Sequence, residues 1–273
     1  MTRVAFQGVP GAYSEDAIIR FFGEVDTLPC PDFGDLGRAL KEGRASHAML
    51  PVENSIEGSV SRANDLLIEN DFTVIGEVTV PIRHCLISHP GTAEGDVKRV
   101  YSHPQALAQC RRYLEAHPDW EKVPAYDTAG SVKLVRERDE DGEAAIASDR
   151  AAERYGMDVV NRDIQDSVDN QTRFLVICRN AEPDPEGDRT SLIFATRDVP
   201  GALYQCLGAF AKNGVNMTKL ESRPRKDRTW EYVFIVDIEG NLNDAPVAKA
   251  LGELVTRAAF VKVMGCYRRS SKR

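Results

Sequence analysis

The last third of the chain carries a secondary-structure pattern that few folds accommodate. A polar, acidic segment with two prolines, residues 179–188, is typical of a linker or long loop. After it, apolar periodicity predicts a strand, a helix, two strands, a helix and a strand within about 80 residues. The predicted elements are 190–196, 200–213, 216–222, 232–238, 245–258 and 261–267. This order is the split βαβ arrangement, whose helices cover one sheet face, so the other face or the edges need a partner and we expect dimerisation.

The first 178 residues follow a different pattern, in which strands alternate with amphipathic helices. Strands are predicted at 4–7, 48–51, 71–82, 100–102 and 144–147, and helices at 14–22, 59–68, 105–116, 130–137 and 150–155. Such alternation is typical of an α/β fold with mostly parallel sheets. We therefore predict a catalytic or binding domain at 1–178, a linker at 179–188 and a second domain at 189–273.

Charge and composition narrow the possible ligands. The net charge of −7 gives no global attraction for nucleic acid or an anionic membrane, so we expect neither as a partner. No apolar run approaches the roughly 18 residues of a membrane span, and the N-terminus lacks a signal-peptide core. The six cysteines form no Cys-x-x-Cys pair and the five histidines show no metal-ligand spacing. We expect a cytoplasmic protein with reduced thiols, no metal and no cofactor.

Four polar segments follow predicted strands, and ligands of α/β sheets bind at the carboxyl ends of strands. The segments are 8–15, 53–55, 102–110 and 169–174. Taken singly, each is explained by a glycine turn, helix capping or a solvated strand entry. Together they supply hydroxyls, amides, carboxylates and an arginine, but neither a complete dinucleotide signature nor a phosphate-loop lysine. They favour a site that orients a polar small molecule whose own chemistry drives the reaction.

The segment 169–174 is the most informative of the four, because hydrogen-bonding groups precede the apolar run 175–178. In a strand, Thr172 and Phe174 share one face and Arg173 lies on the other, so the three side chains need not meet one ligand.

These segments resemble the successive signatures of the prephenate dehydratase family. The matching stretches are Gly8-Val9-Pro10-Gly11-Ala12-Tyr13-Ser14, Pro51-Val52-Glu53-Asn54-Ser55, Ser102-His103-Pro104-Gln105-Ala106-Leu107-Ala108-Gln109 and Asn170-Gln171-Thr172-Arg173-Phe174. Gly201-Ala202-Leu203 and Glu221-Ser222-Arg223-Pro224 resemble the phenylalanine-binding motifs of its ACT regulatory domain. Each motif is weak alone, but six in order over the whole chain are specific. Gln171 departs from the family, in which many members have asparagine. No segment like chorismate mutase precedes Met1 in this sequence, so we expect the monofunctional form.

The resemblance implies an α/β fold with a two-lobed, periplasmic-binding-protein-like (type II) catalytic domain and a C-terminal ferredoxin-like βαββαβ ACT domain. The first lobe would comprise about 1–80 and 161–178, and the second about 81–160. The implied reaction is the decarboxylating dehydration of prephenate to phenylpyruvate in L-phenylalanine biosynthesis. This reaction is driven by formation of an aromatic ring and needs no cofactor.

The resemblance also implies residue roles. Thr172 would donate to the leaving hydroxyl, Arg173 would pair with a substrate carboxylate, and Glu53 would position neighbouring groups or relay a proton. The implied catalytic residues are Thr172, Glu53, Asn54, Ser102 and Gln109. The implied substrate-binding residues are Ser55, Arg173, Phe174, Gly11 and Ser14.

The ACT motifs imply feedback inhibition by L-phenylalanine bound between two such domains of a homodimer or homotetramer. The implied ligand-binding residues are Gly201, Ala202, Leu203, Asn216, Glu221, Ser222, Arg223 and Pro224. Two alternatives remain open from the sequence. One is arogenate dehydratase, which performs the same chemistry on the transaminated substrate, and the other is a non-catalytic amino-acid sensor.

Overall fold

The computed structural model describes residues 2–224 and 232–270. The chain forms two compact units, which we call unit 1 and unit 2. Unit 1 comprises Met1–Val60 and Thr79–Phe174, and unit 2 comprises Ser61–Val78 and Leu175–Arg273. None of the helices within 2–224 and 232–270 is long and apolar enough to cross a membrane. All six cysteines are buried free thiols.

The first part of the chain builds a six-stranded sheet with the order β2-β1-β3-β11-β5, and β4 pairs with β3. Its elements in chain order are β1 (Arg3–Gln7), α1 (Tyr13–Phe22), β2 (Asp26–Cys30), α2 (Phe33–Lys41), β3 (His47–Asn54), β4 (Gly58–Ser59), α3 (Ser61–Glu69) and β5 (Thr73–Pro81), with β11 (Gln171–Cys178) added later. Strand β1 is parallel to β2 and β3. The sequence pattern misses β2 and α2, and it assigns Ser59 to a helix that begins only at Ser61.

The second sheet belongs to unit 1 and has the order β10-β6-β9-β7-β8. Its elements are β6 (Cys85–Ser88), β7 (Arg99–Ser102), α4 (Pro104–Gln109), α5 (Arg111–Glu115), β8 (Glu121–Pro124), α6 (Thr128–Arg138), β9 (Glu143–Ala147), α7 (Asp149–Tyr155) and β10 (Asp158–Asn161). Strand β7 is parallel to β8 and β9, whereas β6 is antiparallel to β9 and β10. This sheet therefore contains both parallel and antiparallel pairs. The parallel pairs are joined through helices, whereas an antiparallel strand needs no helical crossover.

The single helix predicted at 105–116 is divided into α4 and α5 at Cys110, whose φ of −110° and ψ of 27° leave the helical region. The cause is a hydrogen bond from outside the helix, which occupies a carbonyl that would otherwise accept from the next helical turn. The Gln109 carbonyl accepts from the Asp166 N–H at 2.7 Å, and the Asp166 carboxylate accepts from the Arg112 N–H at 3.0 Å. Helix α4 begins at Pro104 after His103, whose ring nitrogen caps the Gln105 N–H. The break and the cap fix the end of α4, where Gln109 lies.

Unit 2 contains the antiparallel sheet predicted for the C-terminal part, with the order β13-β14-β12-β15. Its elements are β12 (Arg189–Ala195), α8 (Ala202–Lys212), β13 (Met217–Pro224), β14 (Tyr232–Glu239), α9 (Ala245–Arg257) and β15 (Phe260–Tyr267). Both helices pack on one sheet face around a core that includes Phe194, Phe210, Val236 and Leu254. The predicted βαββαβ order is thus confirmed.

The sheet face without helices is covered within unit 2 by α3 and residues 73–78 of β5, so of the two surfaces expected to need a partner, this face has one within the chain and, within the described residues, the edges do not. Arg189 binds the carboxylate of Glu77 at 2.8 and 3.0 Å, and Arg223 binds Asp65 at 2.9 Å. A Cβ atom on Gly265 would lie 2.0 Å from the Val74 carbonyl oxygen, so β15 and β5 pack backbone to backbone. Among the described strands of this sheet, the edge strands β13 and β15 lack a strand neighbour on one side.

Candidate active site

The side chain of Asn54 has an orientation that the main chain fixes. Asn54 ends β3 and pairs with Gly58 in the short β3–β4 hairpin. The N–H groups of Ile56 and Glu57 both donate to Asn54 Oδ1 at 3.0 Å. Because a backbone N–H can only donate, the oxygen of this amide faces the turn and the Nδ2 group faces the start of β11.

The Asn54 Nδ2 group donates to the hydroxyl oxygen of Thr172, at a distance of 3.0 Å. It also approaches Asn170 Oδ1 at 2.8 Å and the Gln171 carbonyl at 3.1 Å. Since the Thr172 oxygen receives a hydrogen from Asn54, its own proton is directed elsewhere. Within residues 2–224 and 232–270 no acceptor binds that proton. The Thr172 hydroxyl can therefore donate its proton in a direction other than that of Asn54.

The buried amide of Asn170 joins this pair to the second sheet. Asn170 is 1% exposed, and its Nδ2 group donates to Gln109 Oε1 at 2.9 Å. The Gln109 Nε2 group then faces the carboxylate of Glu57 at 3.5 Å. The predicted residues Asn54, Gln109 and Thr172 thus lie in one hydrogen-bonded cluster, with Asn170 at its centre.

Ser55 also contacts the start of β11, but it binds the backbone there and not a side chain. Its hydroxyl donates to the Asp169 carbonyl at 2.9 Å and accepts from the Gln171 N–H at 2.9 Å. Its own N–H donates to the Gln171 carbonyl at 2.8 Å. With its proton bound to Asp169, Ser55 clamps the start of β11 and so holds Thr172 in register.

Ser102 is not brought into this cluster. Its side chain is fully buried, and its hydroxyl donates to the Ile146 carbonyl at 2.6 Å. That bond links the end of β7 to β9, so the structure gives Ser102 a role in the second sheet.

The glycine loop of residues 8–14 packs against helix α7 of unit 1. Gly11 has a φ of +90°, and a Cβ atom there would lie 2.9 Å from Ala151 Cα. Its N–H is bound by the Glu15 carboxylate at 2.8 Å, and its carbonyl accepts from Ser148 at 3.0 Å. Ser14 is buried in α1. The loop therefore packs against α7, and the Gly11 N–H already has a carboxylate partner.

Three further predicted residues are separated by strand alternation. Phe174 is a core residue, on the same strand face as Thr172. Arg173 lies on the opposite face of β11, and Glu53 on the opposite face of β3 from Asn54. Contact of Arg173 with a substrate carboxylate therefore stays a prediction.

Sequence reasoning missed His84, which lies just before β6. Its ring is 2% exposed, and its Nε2 atom is 2.9 Å from Gln109 Oε1. Burial lowers the pKa of His84, so the imidazole is neutral near pH 7. Its partners are 25 or more residues away along the chain, and the only local signal is a polar ring directly before the apolar run 85–87.

The predicted phenylalanine-binding residues also divide by strand alternation. On one face of β13, Glu221 accepts from Asn64 at 3.0 and 3.1 Å, and Arg223 donates to Ser61 at 3.0 Å, so both bind α3. Ser222 and Pro224 are exposed. Asn216 donates to Glu239 at 3.0 Å.

The remaining predicted residues of this set lie at the start of α8. Gly201 precedes the helix with a φ of +79° and no side-chain cap. Ala202 is buried, and Leu203 packs against the core of the sheet. The first N–H groups of α8 thus have no capping side chain among the described residues.

The chain is similar to known proteins in sequence and in fold. The family model of prephenate dehydratase matches residues 4–182, about two thirds of the chain. The chain belongs to the prephenate dehydratase family. It is therefore an enzyme of the hydro-lyase class, and a second model, that of the ACT domain, matches residues 190–256.

Three proteins illustrate how close the likeness is. The chain is 38% identical to "Arogenate dehydratase/prephenate dehydratase 1, chloroplastic" of Arabidopsis thaliana, over 97% of its own length and 71% of that protein. A prephenate dehydratase from Arthrobacter aurescens, solved in complex with L-Phe, is 33% identical with a TM-score of 0.91, over 100% of this chain and 91% of that one. A structure described as a novel type of quorum quenching acylase is 38% identical with a TM-score of 0.91, over 98% of both chains. Members of this fold thus carry more than one described activity.

Proposed function

We propose that this protein is a prephenate dehydratase that converts prephenate to phenylpyruvate. The observation that carries the proposal is the hydrogen bond from Asn54 Nδ2 to Thr172 Oγ1, because it directs the threonine proton away from Asn54. A site of this kind offers a fixed donor to a departing oxygen without a strong acid. That is the assistance needed when aromatisation drives the reaction.

The proposed reaction balances without a cofactor. The ring carboxylate leaves as CO2, and the electron pair of the broken C–C bond moves through the ring to expel the hydroxyl from the opposite carbon. The hydroxide takes up one proton and becomes water. Thr172 donates a hydrogen bond to that oxygen as negative charge grows on it. Asn54 and Gln109 hold the substrate and Thr172 in the required geometry.

A direct assay tests the proposal. Purified protein is mixed with prephenate, and phenylpyruvate is followed by its absorbance. The alternative substrate is arogenate, which carries an amino group where prephenate has a keto group. Parallel measurements of kcat/KM on both substrates identify the preferred one. Absence of turnover on both would overturn the proposal and favour a non-catalytic amino-acid sensor.

An acylase activity, as described for one structural neighbour, is less well supported by this site. Acyl transfer needs a nucleophile beside a general base. The Thr172 hydroxyl lies beside the amide of Asn54, and the two ring nitrogens of His84 contact Tyr13 and Gln109. The geometry therefore favours the lyase reaction.

We further propose that L-phenylalanine binds the ACT part and inhibits the enzyme. The support is the likeness to a dehydratase solved with L-Phe and the start of α8 after Gly201, where no side chain caps the N–H groups and the helix dipole would stabilise a carboxylate. Isothermal titration with L-phenylalanine, paired with turnover measurements, tests both parts. Binding without inhibition would contradict regulation, and no binding would contradict the site.

We infer that the chain forms a homodimer or homotetramer through the ACT part. The support is a set of exposed apolar side chains on its edge strands and helices: Tyr204, Leu220, Tyr232, Val255, Phe260 and Val263. Sedimentation velocity with and without L-phenylalanine measures the assembly. A monomer at micromolar concentration in both conditions would contradict it.

We also propose a cytoplasmic location, supported by the six buried free thiols. Fractionation of cells that express the full-length protein tests it.

A further inference from the structure

We propose that His84 is a positioning residue of this site, which fixes the direction of the Gln109 amide toward the substrate. The inference rests on the proposed function for its catalytic consequence. Its structural part, the protonation of one ring nitrogen, stands independently of any activity.

The hydrogen bonds of Asn54, Asn170 and Gln109 have a certain direction. Two backbone N–H groups fix Asn54 Oδ1, so Asn54 directs its Nδ2 group toward Asn170. Asn170 must accept that hydrogen bond with its Oδ1 atom. The Nδ2 group of Asn170 then faces Gln109, and Gln109 must accept its hydrogen bond with the Oε1 atom. Each amide can take only one orientation.

The same Gln109 oxygen lies 2.9 Å from His84 Nε2. An amide oxygen only accepts, so the imidazole must carry a hydrogen on Nε2. Two donors, Asn170 and His84, therefore hold Gln109 Oε1. A rotated amide would place its NH2 group against both donors and its oxygen toward the Glu57 carboxylate. His84 thus keeps the Gln109 NH2 group on the side of Glu57, where it is a donor for an anionic substrate.

The ring of His84 is itself held from several sides. Its N–H donates to Gln165 Oε1 at 2.8 Å, and its carbonyl accepts from the Ile164 N–H at 3.0 Å. The Tyr13 hydroxyl lies 3.0 Å from Nδ1 and 2.6 Å from the Arg83 carbonyl. Burial lowers the pKa of His84, so the ring is neutral and, with its hydrogen on Nε2, leaves Nδ1 unprotonated. Burial raises the pKa of Tyr13, which keeps its single proton and donates it to the Arg83 carbonyl, with Nδ1 beside the same hydroxyl. A ring held in this way can fix the orientation of the Gln109 amide.

Two matched variants separate positioning from packing. The amide of His84→Gln reaches the place of Nε2 and keeps a donor to Gln109, whereas the amide of His84→Asn ends near Nδ1 and leaves Gln109 without that donor. We expect His84→Gln to keep kcat within about threefold of wild type. We expect His84→Asn to lower kcat by about tenfold or more with KM changed less than about twofold, since a lost orienting bond acts in the transition state. Because glutamine also fills more space than asparagine, His84→Leu is the packing control: it fills the place of the ring without a donor, and a kcat equal to that of His84→Gln would mean that packing alone matters.

A second measurement needs no turnover. In ¹⁵N spectra of the full-length wild-type protein near pH 7, the signals absent from His84→Gln identify His84 among the five histidines. The inference predicts a protonated Nε2 and an unprotonated Nδ1. The opposite tautomer, or equal kcat in the two variants, would overturn it. If wild type turns over neither prephenate nor arogenate while the tautomer is as predicted, the proposed function fails and the structural part of the inference stands.

Discussion

The Nδ2 group of Asn54 donates to Thr172 Oγ1 across 3.0 Å, while two backbone N–H groups hold the other end of the same amide. The β3–β4 hairpin thus makes Asn54 a donor to Thr172, so the Thr172 proton is directed away from Asn54. A weak acid that is held in one direction assists a departing hydroxide by orientation and by its dipole.

The substitution Asn54→Asp tests this relationship. A carboxylate accepts hydrogen bonds but does not donate them, so the Thr172 proton turns toward the new carboxylate and away from the substrate. We expect kcat on prephenate to fall by about 10²-fold, which stopped-flow or steady-state absorbance measures. Ile56→Asp is the matched control, because it adds the same charge to an exposed position of the hairpin and keeps the amide. Equal kcat losses in the two variants would mean that charge, and not donor direction, is responsible.

Ser102→Ala tests the structural role of Ser102. Its hydroxyl is buried and bound to the Ile146 carbonyl, so we expect the free energy of unfolding to fall by about 1–3 kcal/mol. KM for prephenate should stay within about twofold, because the hydroxyl already donates its proton to the Ile146 carbonyl. Urea unfolding and steady-state kinetics measure the two effects. A large rise in KM with unchanged stability would contradict the structural role and indicate that Ser102 binds substrate.

Gly11→Ala tests the packing role of the glycine loop. The new Cβ atom would lie 2.9 Å from Ala151 Cα on a residue with φ of +90°, so we expect at least about 2 kcal/mol of destabilisation. Gly91→Ala is the control, because its φ is +81° but no atom lies within 4 Å of the added Cβ. We expect a clearly smaller loss there, from backbone strain alone. Equal losses in thermal unfolding would contradict the close approach.

Stability should fall between pH 7 and pH 5.5 as histidines take up protons. Burial lowers the pKa of both His84 and His47 from the usual value of about 6.5. Below about pH 6.5 the unfolded chain binds more protons than the folded one, so the free energy of unfolding decreases as pH falls. Urea midpoints across this range measure the slope. His84→Gln should make it shallower, and an unchanged slope would contradict the buried neutral imidazole.

Much of this architecture was predictable from the sequence because the apolar periodicity of each segment matches the helix or strand that it forms. The βαββαβ order followed from apolar periodicity, and the motif residues Asn54, Gln109 and Thr172 indeed meet. Ser102 could not be assigned from the sequence, since alternation along β7 does not reveal that Ile146 of β9 offers an acceptor. The break after Gln109 was also unpredictable, because it depends on a hydrogen bond from Asp166, 57 positions later in the chain.

The covered face of the C-terminal sheet likewise could not be predicted from the local sequence pattern. The pattern of that part alone indicated an open face, but the partners that cover it, such as Asp65 and Glu77, lie more than 100 positions earlier. His84 was missed for the same reason, because Tyr13 and Gln109 reach it from 71 and 25 positions away. Contacts between distant segments decide which polar residues form the site.

The comparison of Thr172→Ser with Thr172→Val on prephenate tests the central claim most directly. Serine keeps the hydroxyl that Asn54 orients, and valine keeps the shape but removes the donor. We predict that Thr172→Ser stays within about tenfold of the wild-type kcat, whereas Thr172→Val loses at least about 10²-fold with both proteins folded. Turnover by Thr172→Val within a few-fold of Thr172→Ser would contradict a role for the Thr172 hydroxyl in expelling the substrate hydroxide.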